Sequence, residues 1–145
     1  MPETRELTMA EAVREAMAEE MRRDPRVFIC GEDIAEAGTV FKVLTGLVDE
    51  FGTERVLDTP ISEAGFTGIA VGAAMTGMRP IVDIMFGDFS TLVMDQMVNQ
   101  AAKVHYMSGG KWKVQWSCAP RSARPAGRLR NTRSRCTHGF ATFPD

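Results

Sequence analysis

The sequence predicts an α/β fold, a parallel sheet with helices on both faces. Three observations carry this expectation. Short apolar runs at Val27–Cys30, Arg55–Leu57 and Pro80–Met85, with a fourth beginning at Lys111–Val114, alternate with segments of helical periodicity. Glycine, proline or aspartate marks most of the boundaries between them. The intervening segments are long enough for crossover helices, so neighbouring strands run parallel and both sheet faces are covered. Ligands on such sheets sit beyond the carboxyl ends of the strands, where Glu32, Glu63 and Phe86 to Phe89 fall.

Taken in order, Thr8-Met9-Ala10-Glu11 is a capping-box pattern that opens a helix running to about Arg23, and Asp24-Pro25 ends it. Val27–Cys30 is a buried strand, followed by a loop from Gly31 to Gly38. Val40, Phe41, Leu44, Leu47, Val48 and Phe51 recur at helical spacing and predict a helix closed by Gly52. Arg55–Leu57 is the second strand. Pro60 keeps Thr59 out of helical conformation, and Ser62 is placed to cap the next helix, which extends to about Thr76 and stops at Gly77. Glu63 then lies in a first turn, where the helix dipole favours a carboxylate. Gly68 and Gly72 share one face of that helix, at roughly 1 kcal/mol each relative to alanine, so a close packing contact is expected there. Pro80–Met85 is the third strand, and Asp88 to Met107 reads as one long helix ending at Gly109-Gly110.

Composition narrows the function classes. The 145 residues are 44% hydrophobic and 25% charged, which fits a soluble globular domain with a real core. No apolar run approaches a membrane span. The net charge of −2 gives no general reason to expect nucleic-acid binding, yet it hides a split. Residues 1–116 hold 11 Lys/Arg against 18 Asp/Glu, whereas residues 117–145 hold six Arg against Asp145 alone. Met1–Glu6 has neither an apolar signal core nor an Arg/Ser-rich transit character. Cys30, Cys118 and Cys136 lack metal-ligand spacing and leave an odd thiol in any pairing, so a reducing cytoplasm is expected and no metal site.

The run Asp58-Thr59-Pro60-Ile61-Ser62-Glu63, with Gly68 and Gly72 following, resembles the carboxylate-helix motif of thiamine diphosphate enzymes. Together with Gly31-Glu32-Asp33, Arg79-Pro80 and Tyr106-Met107-Ser108-Gly109-Gly110, it is similar to the β subunit of the decarboxylating component of 2-oxo acid dehydrogenase complexes. The likeness covers about residues 5 to 114 and implies a transketolase-like, pyrimidine-binding domain over 1–114.

The resemblance implies the following roles. Glu63 bonds a ring nitrogen of the cofactor's aminopyrimidine and favours the tautomer that takes a proton from the thiazolium carbon, so a desolvated carboxylate is expected. Phe89 stacks on the aminopyrimidine and Phe86 helps wall that pocket. Glu32 and Asp95 line a polar route between paired active sites. For an isolated reading of the residues, the alternatives are an ordinary first-turn glutamate, core aromatics and solvated charges. Gly68 and Gly72 face a neighbouring subunit. His105 reads as structural, and His138 is assigned no role.

The magnesium and diphosphate half of the site is not legible here, because no Gly-Asp-Gly with a suitably placed asparagine occurs. The resemblance assigns that half to an α subunit. The implied partners are therefore the α subunit, a second β subunit and the acyltransferase core with its lipoyl domain. Pyruvate is the expected substrate, with acetoin and branched-chain 2-oxo acids as alternatives. A non-catalytic partner-binding domain is the reading from a different class, and the chain alone is expected to be inactive.

Residues 115–145 lose the pattern and read as an aberrant, basic, disordered tail. The genetic code offers a reason. In the resembling family the fourth strand runs like Lys-Val-Pro-Val-Val-Leu-Arg, and one coding of it is AAG GTC CCA GTG GTC CTG CGC. Loss of one C at the GTC CCA junction gives Lys-Val-Gln-Trp-Ser-Cys, as from Lys113 to Cys118. Codons permitted for Arg130 to Asp145, read from the last base of the Arg130 codon, can spell QHTQSLHAWFRHIPG, which is similar to the family's histidine loop. A one-base frameshift near Val114 to Trp116 is the expectation.

Overall fold

In a computed structural model, residues 5–120 are described, together with the backbone of 129–130 and 141–142. A five-stranded sheet forms the centre, in the order β3 (Val56–Asp58), β2 (Val27–Gly31), β4 (Arg79–Ile84), β5 (Ser117–Pro120) and β7 (Ala141–Thr142). The first four strands are mutually parallel, and β7 closes one edge antiparallel to β5. A separate antiparallel pair joins β1 (Glu6–Leu7) to β6 (Leu129–Arg130).

Period-two alternation divides the strands between two cores. Val27, Ile29, Val56, Ile81 and Ala119 pack with Met17, Ala18 and Met21 of α1 (Met9–Arg23) on one face. Phe28, Cys30, Val82, Ile84 and Cys118 pack with Phe66, Ala70, Val71 and Ala74 of α3 (Glu63–Met75) on the other. Helix α1 starts as its sequence dictates. The Thr8 hydroxyl accepts from the Glu11 N–H at 3.3 Å, and Glu11 Oε2 accepts from the Thr8 N–H at 2.7 Å, completing the capping box.

Four local expectations need correction. The helix expected over residues 40–51 is confined to α2 (Leu47–Phe51). Thr39, Lys42 and Gly46 have φ of 71°, 55° and 85°, left-handed values that a helix cannot contain. The apolar spacing there has another cause: Val43, Leu44 and Leu47 are buried against the α1 face, whereas Val40 and Phe41 are exposed.

The segment expected as one helix from Asp88 to Met107 is broken. It consists of a 3-10 stretch Gly87–Val93, a π stretch Gln96–Ala101 and α4 (Ala102–Met107). Residues 111–116, where the fourth strand was expected to begin, are not strand, and that place in the sheet is taken by β5. Ser62 occupies the N-cap position of α3, but its side chain makes no capping bond. Its Oγ lies instead where a Cβ at Gly65 would be, at 2.6 Å.

Beyond Pro120, the expected basic tail and His138 lie outside the described residues, apart from the two backbone pairs in β6 and β7.

Candidate active site

The carboxyl ends of β2, β3 and β4 converge on one edge of the sheet, and the acidic residues gather there. Glu32 follows β2 directly, and Glu63 is the first residue of the helix that follows β3. Two bonds couple these ends: the Thr59 N–H donates to Gly31 O at 2.9 Å, and the Ala35 N–H donates to Asp58 Oδ1 at 2.8 Å. The loop after Glu32 is fixed by Ile34, Ala35 and Thr39, all buried, and by the Thr39 N–H donating to Asp33 O at 2.8 Å. Gly31 is required at this junction. A Cβ there would lie 2.8 Å from the Asp83 carbonyl oxygen and 3.0 Å from its Cβ, closer than packed atoms allow.

Glu32, Glu63 and Asp83 are all buried, at 6%, 8% and 1% exposure. Burial pushes the Glu32 carboxyl above the usual range, and the negative charges of Glu63, Asp33 and Asp83 push it further. Glu32 Oε1, Thr59 Oγ1 and Thr67 Oγ1 are buried with no hydrogen-bond partner among the described residues. Thr67 stands one helical turn beyond Glu63 and so shares its face. Buried polar atoms are ordinarily satisfied, so their accumulation beside two carboxylates suits a polar ligand.

The aromatic wall consists of three rings in sequence. Phe86 meets Phe89 edge to face at 5.5 Å, and Phe41 meets Phe86 edge to face at 5.9 Å. Phe89 keeps 38% of its surface exposed and Phe86 is half-buried, so the rings remain open to a flat partner on one side. Asp95 is exposed, and its Oδ1 accepts from the Asn99 Nδ2–H at 2.7 Å. Gly68 faces the Gln96 side-chain amide, which a Cβ would meet at 3.4 Å, while nothing lies within 4 Å of a Cβ at Gly72.

Sequence reasoning missed Phe41 and Asp83. Phe41 was hidden by the mistaken helix over 40–51. Asp83 carried a readable signal, a lone acid in the run Pro80–Met85 where a central strand is buried on both faces. Cys30 and Cys118 are not nucleophiles. Burial, reinforced by the charge of Asp83, raises their thiols to about 12 and about 11, so both stay protonated near neutrality. His105, expected to be structural, is tied to the main chain at the end of α4. Its Nδ1 lies 2.8 Å from the Trp112 carbonyl oxygen, which can only accept, so Nδ1 carries the proton.

Among the described residues no helix is long and apolar enough to cross a membrane, and no group of three or more His, Cys, Asp or Glu could hold a metal ion.

Comparison with known proteins agrees with this geometry. The chain is 55% identical over 106 residues to the pyruvate dehydrogenase E1 component subunit beta of Rickettsia bellii, covering 73% of this chain and 33% of that protein. It is 54% identical over 112 residues to the mitochondrial pyruvate dehydrogenase E1 component subunit beta of Saccharomyces cerevisiae, covering 77% of this chain and 31% of that one. The chain thus spans about a third of the length of the curated relatives it matches. Among solved structures, a split-gene transketolase described as an inactive beta4 tetramer superposes with a TM-score of 0.53. It is 18% identical and covers 79% of this chain and 34% of that one, a likeness of fold alone. Residues 5–127 match the family described as the transketolase pyrimidine-binding domain, and the chain belongs to that family.

Proposed function

We propose that this chain is the pyrimidine-binding part of the β subunit of a 2-oxo acid dehydrogenase whose substrate is pyruvate. The observation that carries the proposal is Glu63, a carboxylate buried in the first turn of α3, with Glu32 and the open face of Phe89 at the same end of the sheet. The identity to E1 beta subunits over nearly three quarters of the chain supports the choice of pyruvate over acetoin or branched-chain acids.

The residues present fit the aminopyrimidine of thiamine diphosphate. Glu63 would accept a hydrogen bond from a protonated ring nitrogen, Phe89 would stack on the ring, and Phe86, itself braced by Phe41, would hold Phe89 at its angle. Held there by Glu63, Phe89 and Phe86, thiamine diphosphate would supply an electron sink for the loss of carbon dioxide. The chain's own contribution is binding, orientation and proton handling. Burial of Glu63 excludes water from its bond to the ring. Glu32, whose neutral form is favoured by its surroundings, can hold a proton beside Glu63.

The α subunit of the same dehydrogenase would supply the diphosphate and magnesium half of the site. A second β subunit would lie near the Gly72 face, and the acyltransferase core with its lipoyl domain would dock elsewhere on the assembled enzyme. Asp95 would belong to the polar route between paired sites. A soluble cytoplasmic setting and no contact with nucleic acid or membrane complete the reading. The test is reconstitution with a matching α subunit. Cofactor-dependent pyruvate decarboxylation that disappears in Glu63→Gln supports the proposal. Activity no greater than the α subunit alone supports a partner-binding domain without catalysis.

The segment 115–145 is proposed to be out of frame from near Val114 to Trp116. Strand β5 draws its four residues from inside that segment, and Cys118 and Ala119 are apolar enough to join both cores. An independent reading of the codons for Lys113 to Ser117 decides the matter: an extra base restores the frame, and its absence makes the tail genuine.

A further inference from the structure

The opposite end of the sheet carries a feature that the proposed catalysis does not use. A cleft of about 300 Å³ opens at the amino ends of β2 and β4, lined by Arg26, Arg79, Lys111, Trp112 and Lys113 and floored by the Ala74–Met78 end of α3. Since β2 is five residues long, the cleft lies roughly 17 Å or more from Glu32. Four of the 11 cations in residues 1–116 meet here, in a part of the chain that is acidic as a whole.

The carboxylate beside them is already committed. Asp24 takes a forked bond from the Arg26 guanidinium, at 3.0 Å from Nε and 2.7 Å from Nη2, and is held down at about 2 by that bond, with Arg79 adding to the effect. Arg79 and Lys111 form no ion pair among the described residues.

The rim of the cleft is held in place. Gly109 and Gly110, at φ of 63° and 81°, turn the chain out of α4. The Trp112 N–H then donates to Ser108 Oγ at 3.1 Å, and His105 Nδ1–H donates to Trp112 O at 2.8 Å. Both bonds tie the main chain of Lys111-Trp112-Lys113 to the end of the helix. Trp112 nevertheless leaves 52% of its surface exposed, next to Met75 and Met78. An indole face beside Arg79 and Lys111 offers stacking and charge neutralisation to one ligand at once.

We propose that this cleft binds a nucleoside polyphosphate, its phosphates on Arg79 and Lys111 and its base on Trp112. The volume lies at the lower end of the range for small-molecule sites, which suits a single mononucleotide.

The experiment titrates ATP, inorganic tripolyphosphate and adenosine separately into the full 145-residue chain, following Trp112 fluorescence and heat of binding. Trp116 is buried and contributes a steady background. The expected result is saturable ATP binding that is tighter than either fragment and weakens with salt. Arg79→Gln and Lys111→Gln should each weaken it about tenfold, as loss of a charge-assisted bond does. Lys103→Gln, away from the cleft and bonded to Asn99, should leave it unchanged. Lys111 is exposed, so its variant keeps the test intact should Arg79→Gln fold poorly.

Three results would overturn the proposal. One is the absence of saturable ATP binding. Another is tripolyphosphate binding as tightly as ATP, which would remove the base from the site. The third is binding that Lys111→Gln and Arg79→Gln leave unchanged, which would assign it to the arginines of residues 117–145.

Discussion

The two ends of the parallel sheet are built on opposite terms. At the carboxyl end, Glu32, Glu63 and Asp83 are buried close together, and hydroxyls of Thr59 and Thr67 go unbonded among the described residues. At the amino end, Arg55 saturates its surroundings. Its guanidinium donates to the carbonyl oxygens of Met21, Asp24 and Val27 at 2.6 to 3.0 Å and lies over the Phe51 ring at 5.3 Å. Arg26 and Asp24 pair beside it. The amino end is organised for stability, tying α1 to β2 and β3. The carboxyl end keeps polar groups unsatisfied, which a fold tolerates where a ligand completes them.

The largest expected effect lies at the carboxyl end. With the α subunit present, Glu63→Gln is expected to lower decarboxylation by about 10²- to 10⁴-fold, the usual range for a lost proton-handling group. Its melting temperature should equal or exceed that of the parent, since an isosteric amide removes a buried charge. A fall in activity accompanied by an equal loss of stability would erase the contrast between the ends.

Arg55→Met makes the reciprocal test. It leaves three carbonyl oxygens short of a donor, and chemical denaturation should show a loss of about 2 to 3 kcal/mol. Cofactor affinity of the folded fraction should not change. A variant that unfolds at the same denaturant concentration as the parent would show that these bonds are replaced by water.

Much of this division was legible in the sequence, because its determinants are local. The capping box at Thr8, the glycine that ends β2 and the Pro60–Glu63 entry to α3 each act within a few residues, so spacing alone located Glu32 and Glu63 at neighbouring strand ends. Helix α3 also matches its expected span closely. Other parts depend on tertiary partners. Val43 and Leu44 mimic helix periodicity because the turn before α2 places them in the α1 core beside Leu47. The break in the 87–107 segment follows no proline or glycine within its interior, so no local residue announced it. Arg55 was read only as the start of a strand, since its three acceptors are main-chain oxygens that leave no sequence pattern.

Glu32 sharpens the comparison through pH. Its carboxyl is raised in the fold by burial first and by neighbouring negative charge second. A raised acid binds its proton more tightly folded than unfolded. The stability linked to it is therefore complete below the ordinary carboxylate pKa and is lost as pH rises through the folded value. Glu32→Gln carries no titrating group, so it should match the parent at pH 4 and exceed it at pH 8 by up to about 1 kcal/mol, part of what an unsatisfied buried group costs. Thermal melts of both proteins across that range make the measurement. A parallel pH dependence in the two would place the strain on another acid of the cluster.

The smallest effect belongs to an exposed pair at the amino end. Arg22 grips Glu50 in a fork, at 2.5 Å from Nε to Oε1 and 2.7 Å from Nη2 to Oε2, joining α1 to α2, and its guanidinium also lies 6.0 Å over Phe51. Despite that geometry, both side chains are substantially exposed, so water screens the pair and the ordering of two long side chains offsets most of the attraction. Glu50→Gln should lower stability only slightly, far less than Arg55→Met, and less still in 1 M salt. A larger loss would mean that the Arg22 guanidinium, released from Glu50, also leaves the Phe51 ring. The same ring sits under Arg55, so repeating Glu50→Gln in an Arg55→Met background would then show coupling rather than additivity. The amino end would in that case act as one cationic clamp around Phe51, and its resistance to unfolding would depend on geometry shared by both arginines.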